Sequence, residues 1–272
     1  MKYLKPINEF WGDVLKRDLL GETREEDKFH SIEELQKYLK SEIKKQGENV
    51  VIRDLDVSHI EDLSDLFIGL DVIGIAGGIK TLDLSGWKTS NVKNMSEMFY
   101  HCDDIESLNV SGWDTSNVKH MNSMFYWCNH LKSLDLSGWD VSGVNDMSDM
   151  FNNCNGLESL DLSGWNTSNV NDMSMMFSKC DNIKSLDLSG WNTSSVEDMH
   201  WMFSWCGNLK SLNLSGWDTS NVKDMSWMFY DCANLESLDL SGWNTSNVDF
   251  MENMFYHSAA PYKVVNNKIV KK

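Results

Sequence analysis

The sequence predicts an α/β solenoid in which every 26-residue coil contributes one short parallel strand and one helix. Tryptophan recurs at Trp87, Trp113, Trp139, Trp165, Trp191, Trp217 and Trp243, always 26 residues apart. Cysteine keeps the same period at Cys102, Cys128, Cys154, Cys180, Cys206 and Cys232, with Ser258 in the seventh place. A fixed period of this length is the mark of stacked supersecondary units, none of which can bury its apolar face alone. Within each unit the hydrophobic spacing changes character, from alternation to a helix-like period.

Residues 1–49 come first and read as a helical cap or a docking region. Ser31-Ile-Glu-Glu34 is a capping-box pattern that opens a helix through about Lys45, and an earlier helix is expected from about Ile7 to Leu19. Residues 50–258 form the repeat region, one worn copy (LDVSHIEDLSDLF, 55–67) followed by seven regular ones. In each, S-L-D-L-S alternates apolar and polar and reads as a strand. From Asn-Val onward the apolar residues fall at 0, +3, +6, +7 and +10, as in Val118, Met121, Met124, Phe125 and Cys128. That spacing is one face of a helix, with the preceding Ser as N-cap and an Asp in the first turn. Residues 259–272 read as a hairpin, YKVV and KIVKK around Asn-Asn, closing the last coil and protecting it with lysines.

The run L-x-x-L-x-L-S-G-W, as in Leu131 to Trp139, resembles the leucine-rich-repeat core. The fuller W-D-T-S-N-V-x-x-M-S-x-M-F-x-x-C form is similar to BspA-like, mycoplasma-lipoprotein-type repeats of bacterial surface proteins. The match covers 82–258 closely and 50–67 loosely. It implies a leucine-rich-repeat-like solenoid and, by family association, adhesion or protein binding at a bacterial or phage surface.

Composition narrows the function classes. The formal charge is −17, and residues 50–258 alone carry a net −20, so no basic excess is available to displace counterions from nucleic acid. No apolar stretch reaches the ~20 residues of a membrane span. The N-terminus has scattered charges rather than a signal-peptide core, so the expectation is a cytoplasmic chain, against the exported surface or virion location that the resemblance implies. Histidines are scattered, GIAGGIK (74–80) lacks a P-loop ending, and no nucleophile–base pair can be assembled. The chain reads as no enzyme, with no cofactor. Cysteines spaced C-x25-C lack the paired spacing of zinc sites and read as buried thiols.

Two surfaces remain as candidates. The first is the stripe on the presumed helix that varies while the frame repeats. It contains Trp127, Trp201, Trp205 and Trp227, together with Met175, Tyr126, Tyr230 and His200. An exposed aromatic patch of this kind marks a protein interface or a self-association surface; alternatively the rings fold over the grooves between coils. The second is an acidic face on the strands, Asp135, Asp161, Asp187 and Asp239, where neighbours ~4.8 Å apart would crowd one another and raise their pKa values, bind a hard cation, or accept basic side chains. The leading expectation is a protein-binding scaffold without metal. The alternatives are a structural or display part of a larger assembly and an acidic decoy of a basic partner.

Overall fold

The computed structural model describes residues 28–68, 78–266 and 268–272; the helix expected near Ile7 to Leu19 and most of GIAGGIK lie outside them. The described chain is a right-through stack of coils. Helix α1 (Ile32–Gln46) comes first and buries Leu35, Leu39 and Ile43. Ser31 caps it by accepting from the Glu34 N–H at 3.3 Å, while the Glu34 carboxylate accepts from the His30 N–H, one residue before the position a capping box requires.

The strands are short. β1 (Asn49–Val51), β2 (Thr81–Asp83) and β3 (Ser107–Asn109) form one parallel sheet, and β4 (Ser185–Asp187), β5 (Ser211–Asn213) and β6 (Ser237–Leu238) form another. Each pairs in register with its equivalent in the next coil, Leu82 opposite Leu108 and Leu186 opposite Leu212. β7 (Tyr262–Val265) and β8 (Lys268–Lys271) make an antiparallel hairpin over the last coil, where the Tyr262 hydroxyl accepts from the Leu240 N–H.

The expected helix in each repeat is not there. Among the described residues α1 is the one α-helix, and the stretch from Val to Cys is instead a ribbon of reverse turns. Its N–H groups serve two directions in alternation. Those of Met98, Tyr100 and Cys102 close turns onto the carbonyls three residues back, of Met95, Glu97 and Phe99. Those of Met95, Glu97, Phe99 and His101 donate to His120, Asn122, Met124 and Tyr126 of the next coil, at 2.8–3.0 Å. The pattern repeats coil after coil through Met225, Trp227, Phe229 and Asp231. It requires positive φ every fourth residue, as at Glu97 (57°), His101 (57°), Ser123 (55°) and Trp127 (62°), the sign that the third residue of a type II turn demands.

Two physical reasons decide for the ribbon. Helices pack about 8–10 Å apart, whereas strands sit about 4.8 Å apart. A ribbon lets both sides of the coil keep the closer spacing: the phenylalanines from Phe67 to Phe255 stack at 5.1–5.7 Å. In addition, the residue placed as a first-turn acid bonds its own backbone, Asp146 Oδ1 accepting from Ser148 N–H at 2.9 Å and Asp172 Oδ1 from Ser174 N–H at 2.9 Å. Such an Asx turn diverts the backbone from helix. The expected N-cap Ser has no helix to cap, and the Asn beside it donates its amide to the coil before, Asn117 Nδ2 to Ser90 O at 2.7 Å.

Burial follows the periodicity even so. Val118, Met121, Met124, Phe125 and Cys128 are at most 1% exposed, as are most of their equivalents. Trp87, Trp113, Trp139, Trp165, Trp191 and Trp217 are buried too, with Trp165, Trp191, Trp217 and Trp243 in successive stacks 6.1–6.3 Å apart. Four indole N–H groups reach the carbonyl of the preceding coil, as Trp191 does to Leu162 at 3.1 Å.

The two sides of the stack are unequal. The ribbon ladder is continuous, but the coils at 133–135 and 159–161 carry no strand, and there the buried indole N–H groups of Trp139 and Trp165 lack a partner. In hydrogen exchange, amides of 133–135 and 159–161 should exchange much faster than those of Phe125, Trp127, Phe151 and Asn153; equal protection would mean that the strand side is closed as well.

Candidate binding surface

Two variable columns of the sequence, Glu97 to Asn253 and His101 to His257, are the tips of the turns, while Tyr126, Tyr230 and His200 stand beside them. Trp127, Met175, Trp201, Trp205 and Trp227 all have positive φ, between 55° and 62°. For a bulky side chain that conformation costs about 1 kcal/mol or more, and Gly, Asn or Asp would be the low-strain choice. At such a tip the Cβ points away from the core, so the side chains lie on the outer side.

There they form two separate clusters rather than one. Trp201 lies flat on Trp227 (4.8 Å, 3°) and near-parallel to Trp205 (4.9 Å, 23°). Tyr230 meets Trp205 and Trp227 edge-on at 5.2 and 5.1 Å, and Tyr256 continues the stack from Tyr230 at 5.7 Å. The ammonium of Lys179 stands 5.1 Å from the Trp205 ring, a cation–π contact. The other cluster sits coils away: Tyr126 stacks on Tyr100 at 4.9 Å, and Trp127 meets His101 at 4.3 Å. Between them lies a polar saddle of buried Asn152, Asn153, Ser178 and Ser204, tied by hydrogen bonds such as Ser178 to Ser204 at 2.8 Å. Met175 is half-buried on this saddle.

The rings are only partly in water. Trp127 is 36% exposed, and Trp201, Trp205 and Trp227 are half-buried because each gives a face to its neighbour. The surface offered outward is therefore a row of ring edges. Tyr100, Tyr256 and Lys179, which belong to the clusters, stand in the same variable columns of the sequence.

His200 takes the place that Ser148, Ser174 and Ser226 hold in their coils. Its ring Nδ1 lies 2.7 Å from Asp198 Oδ1, and Asp172 and Asp224 flank it. The Asp198 hydrogen bond raises the His200 pKa against the opposing effect of burial. For Asp198, burial pushes upward, but the His200 hydrogen bonds and charge outweigh it and leave the carboxyl below its ordinary value. At Asp172 and Asp149 burial outweighs the hydrogen bonds from Ser174 and Asn152 and raises both. This second row of acids, Asp146, Asp172, Asp198 and Asp224 on successive coils, was not separated from the turn pattern by sequence reasoning.

The strand-face acids differ from expectation. Asp135, Asp161, Asp187 and Asp239 are exposed, and each accepts from the serine two residues on, as Asp161 does from both the N–H and the hydroxyl of Ser163. These bonds lower all four pKa values, whereas crowding would have raised them. The register also sets an Asp opposite an Asn in two places, Asp83 with Asn109 and Asp187 with Asn213. Alongside, Glu106 pairs with Lys132 at 2.9 Å.

The six thiols are free and buried, and each donates to a phenylalanine carbonyl one coil back, Cys154 to Phe125 at 3.0 Å. Burial pushes Cys206 up to about 12, and the other five share its backbone contact. Nucleophilic or metal chemistry at these thiols has no support in that setting.

His200 gives a pH-dependent contribution of definite sign. Its folded pKa is raised, so its contact with Asp198 stabilises fully below the unfolded value of about 6.5 and is lost as pH rises through the folded pKa. His200→Ser restores the residue of the other coils. Wild type should melt above the variant at pH 5, with the gap closing as pH rises beyond 7; a gap independent of pH would contradict the assignment.

The family described as "Mycoplasma protein of unknown function, DUF285" matches residues 33–155, 72–186 and 172–269. No curated protein matches the chain. Among solved structures, a leucine-rich-repeat protein of Leptospira interrogans is similar at 12% identity over 67% of each chain, with a TM-score of 0.30.

Proposed function

We propose, from the premise that the chain belongs to the DUF285 family of Mycoplasma proteins of unknown function, that it is a non-catalytic scaffold that binds a protein through the outer side of its turn ribbon. One observation carries the reading. Tryptophan occupies Trp201, Trp205 and Trp227 at positive φ, where backbone geometry favours Asn or Gly. The strain is accepted at these tips while the frame beneath stays constant, and large rings presented in a row are what a protein interface uses as anchors. The partner is a protein rather than nucleic acid, given the net charge of −17. Adhesion at a surface, which the BspA-like resemblance implies, is the finer form of the same reading.

Replacing Trp201, Trp205 and Trp227 together with Asn separates binding from folding. Asn tolerates the turn conformation, so the backbone strain falls by about 1 kcal/mol per site while the ring stacking is lost. Thermal melting should stay within a few degrees of wild type, and capture of the partner should be lost. A melt lowered by ten degrees or more would make the rings part of the scaffold and remove the basis of the proposal.

A further inference from the structure

Among the described residues one group has the composition of a metal centre. A carboxylate oxygen of Asp198, one of Asp224 and a ring nitrogen of His200 all lie within 4.8 Å of one another. The sequence builds the group by a single exchange. Where neighbouring coils carry Ser148, Ser174 and Ser226, this one carries His200, and the acids beside it run on unchanged. Asp172, Asp198 and Asp224 pair through successive backbone bridges, so the imidazole enters a row of carboxylates on adjacent coils.

A row of acids alone is no site. The strand-face acids Asp135, Asp161, Asp187 and Asp239 are equally periodic, but they are exposed and their column holds no histidine. The group around His200 differs. All three of its residues are half-buried, where negative charge is costly to leave without a counter-charge. Asp224 accepts the Ser226 N–H at 2.7 Å but, unlike Asp146 and Asp172, no serine hydroxyl. The imidazole meets Asp198 through Nδ1 at 2.7 Å, and its Nε2 has no hydrogen-bond partner among the described residues. Burial pushes the adjoining Asp172 carboxyl up, as expected of a row short of positive charge. The other imidazole–carboxylate contacts, His101 with Asp103 at 3.7 Å and His257 with Asp231 at 3.9 Å, each have a single acid.

We propose that Asp198, His200 and Asp224 bind a divalent transition-metal ion of the zinc type, with water completing its coordination. Imidazole suits zinc and its neighbours in the first row, whereas calcium and magnesium take oxygen ligands. One nitrogen, two carboxylates and a position left to solvent match the open class of zinc site rather than the closed, structural one. The ligands come from two coils, so the ion ties one coil to the next. It does so beside the stacked pair of Trp201, which directly follows His200, and Trp227, three residues beyond Asp224. Binding therefore stiffens these two tips. The site stands whether or not the rings bind a protein.

The test is calorimetric titration of the full chain, without an affinity tag and stripped of metal by a chelator, with zinc, calcium and magnesium chlorides above pH 7. Wild type should bind one zinc per chain with micromolar affinity and melt a few degrees higher with zinc bound. Calcium and magnesium should bind at least tenfold more weakly. His200→Ser restores the residue of the other coils, and Asp224→Asn keeps an acceptor for the Ser226 N–H. Each should weaken zinc at least tenfold while the metal-free protein melts close to wild type. If Asp224→Asn lowers that melt, His200→Ser alone decides. His257→Ser removes an imidazole that faces one acid and should leave zinc affinity unchanged. Affinity that survives His200→Ser, affinity that falls equally with His257→Ser, calcium bound as tightly as zinc, or no saturable binding at micromolar zinc would each overturn the proposal.

Discussion

Everything in this fold depends on one hydrogen-bond ladder, the parallel bonds that run from coil to coil along the turn ribbon. In the coils before the last, most ribbon N–H groups are used, alternately within their own coil and onto the next, so a buried backbone stays satisfied without helix or sheet. The ladder also sets the spacing at which phenylalanine can stack on phenylalanine and methionine can fill the gaps between. The strand side is secondary: its sheets are interrupted in the middle of the stack while the ribbon is not. Asn side chains, Thr hydroxyls and thiols add further bonds between coils, each fixed to one backbone carbonyl, as in Asn117, Thr115 and Cys128.

The ladder divides the repeat into columns that are constrained and columns that are free. A residue whose side chain points inward must match the volume of its neighbours above and below, and those columns hardly vary. A residue at a turn tip has only to tolerate positive φ, with its N–H committed forward and its side chain outside. Glu, Ser, Asp, Met, Trp and Asn all occur at one such position, from Glu97 through Asn253. Diversity there leaves the scaffold unchanged, which is how one frame can present different surfaces. His200 exploits a neighbouring column in another way, placing a titrating ring within a row of carboxylates.

Much of this was legible in the sequence because periodicity reports burial directly. The tryptophan and cysteine columns, the inward set from Val118 to Cys128 and the outward set containing Trp201 and Trp227 could be read from spacing alone. Backbone conformation could not. Apolar residues at 0, +3, +6, +7 and +10 satisfy a helix, and they satisfy equally a ribbon whose tips come every four residues. The discriminating signal was chemical rather than periodic: an Asp or Asn two residues before a Ser in five of the eight coils, as in Asp146 and Ser148, is an Asx turn. The same substitution of ribbon for helix explains why Trp127 and Trp205 fall into different clusters. A tip contacts only the adjacent coils, so an aromatic stripe breaks wherever two successive tips are polar, as at Asn153 and Lys179.

The ribbon makes a prediction about residue chemistry that a helix reverses. Ser123 sits at φ 55° on an outward tip, with its N–H bonded to Ser148 O at 2.8 Å. Melting of Ser123→Gly and Ser123→Ala should be compared with wild type. In the ribbon, Gly relieves backbone strain and raises or preserves stability, and Ala does not gain on it. If Ala instead proves the more stable by about 1 kcal/mol, as helix propensity demands, the stretch is helical and the account of the ladder is wrong.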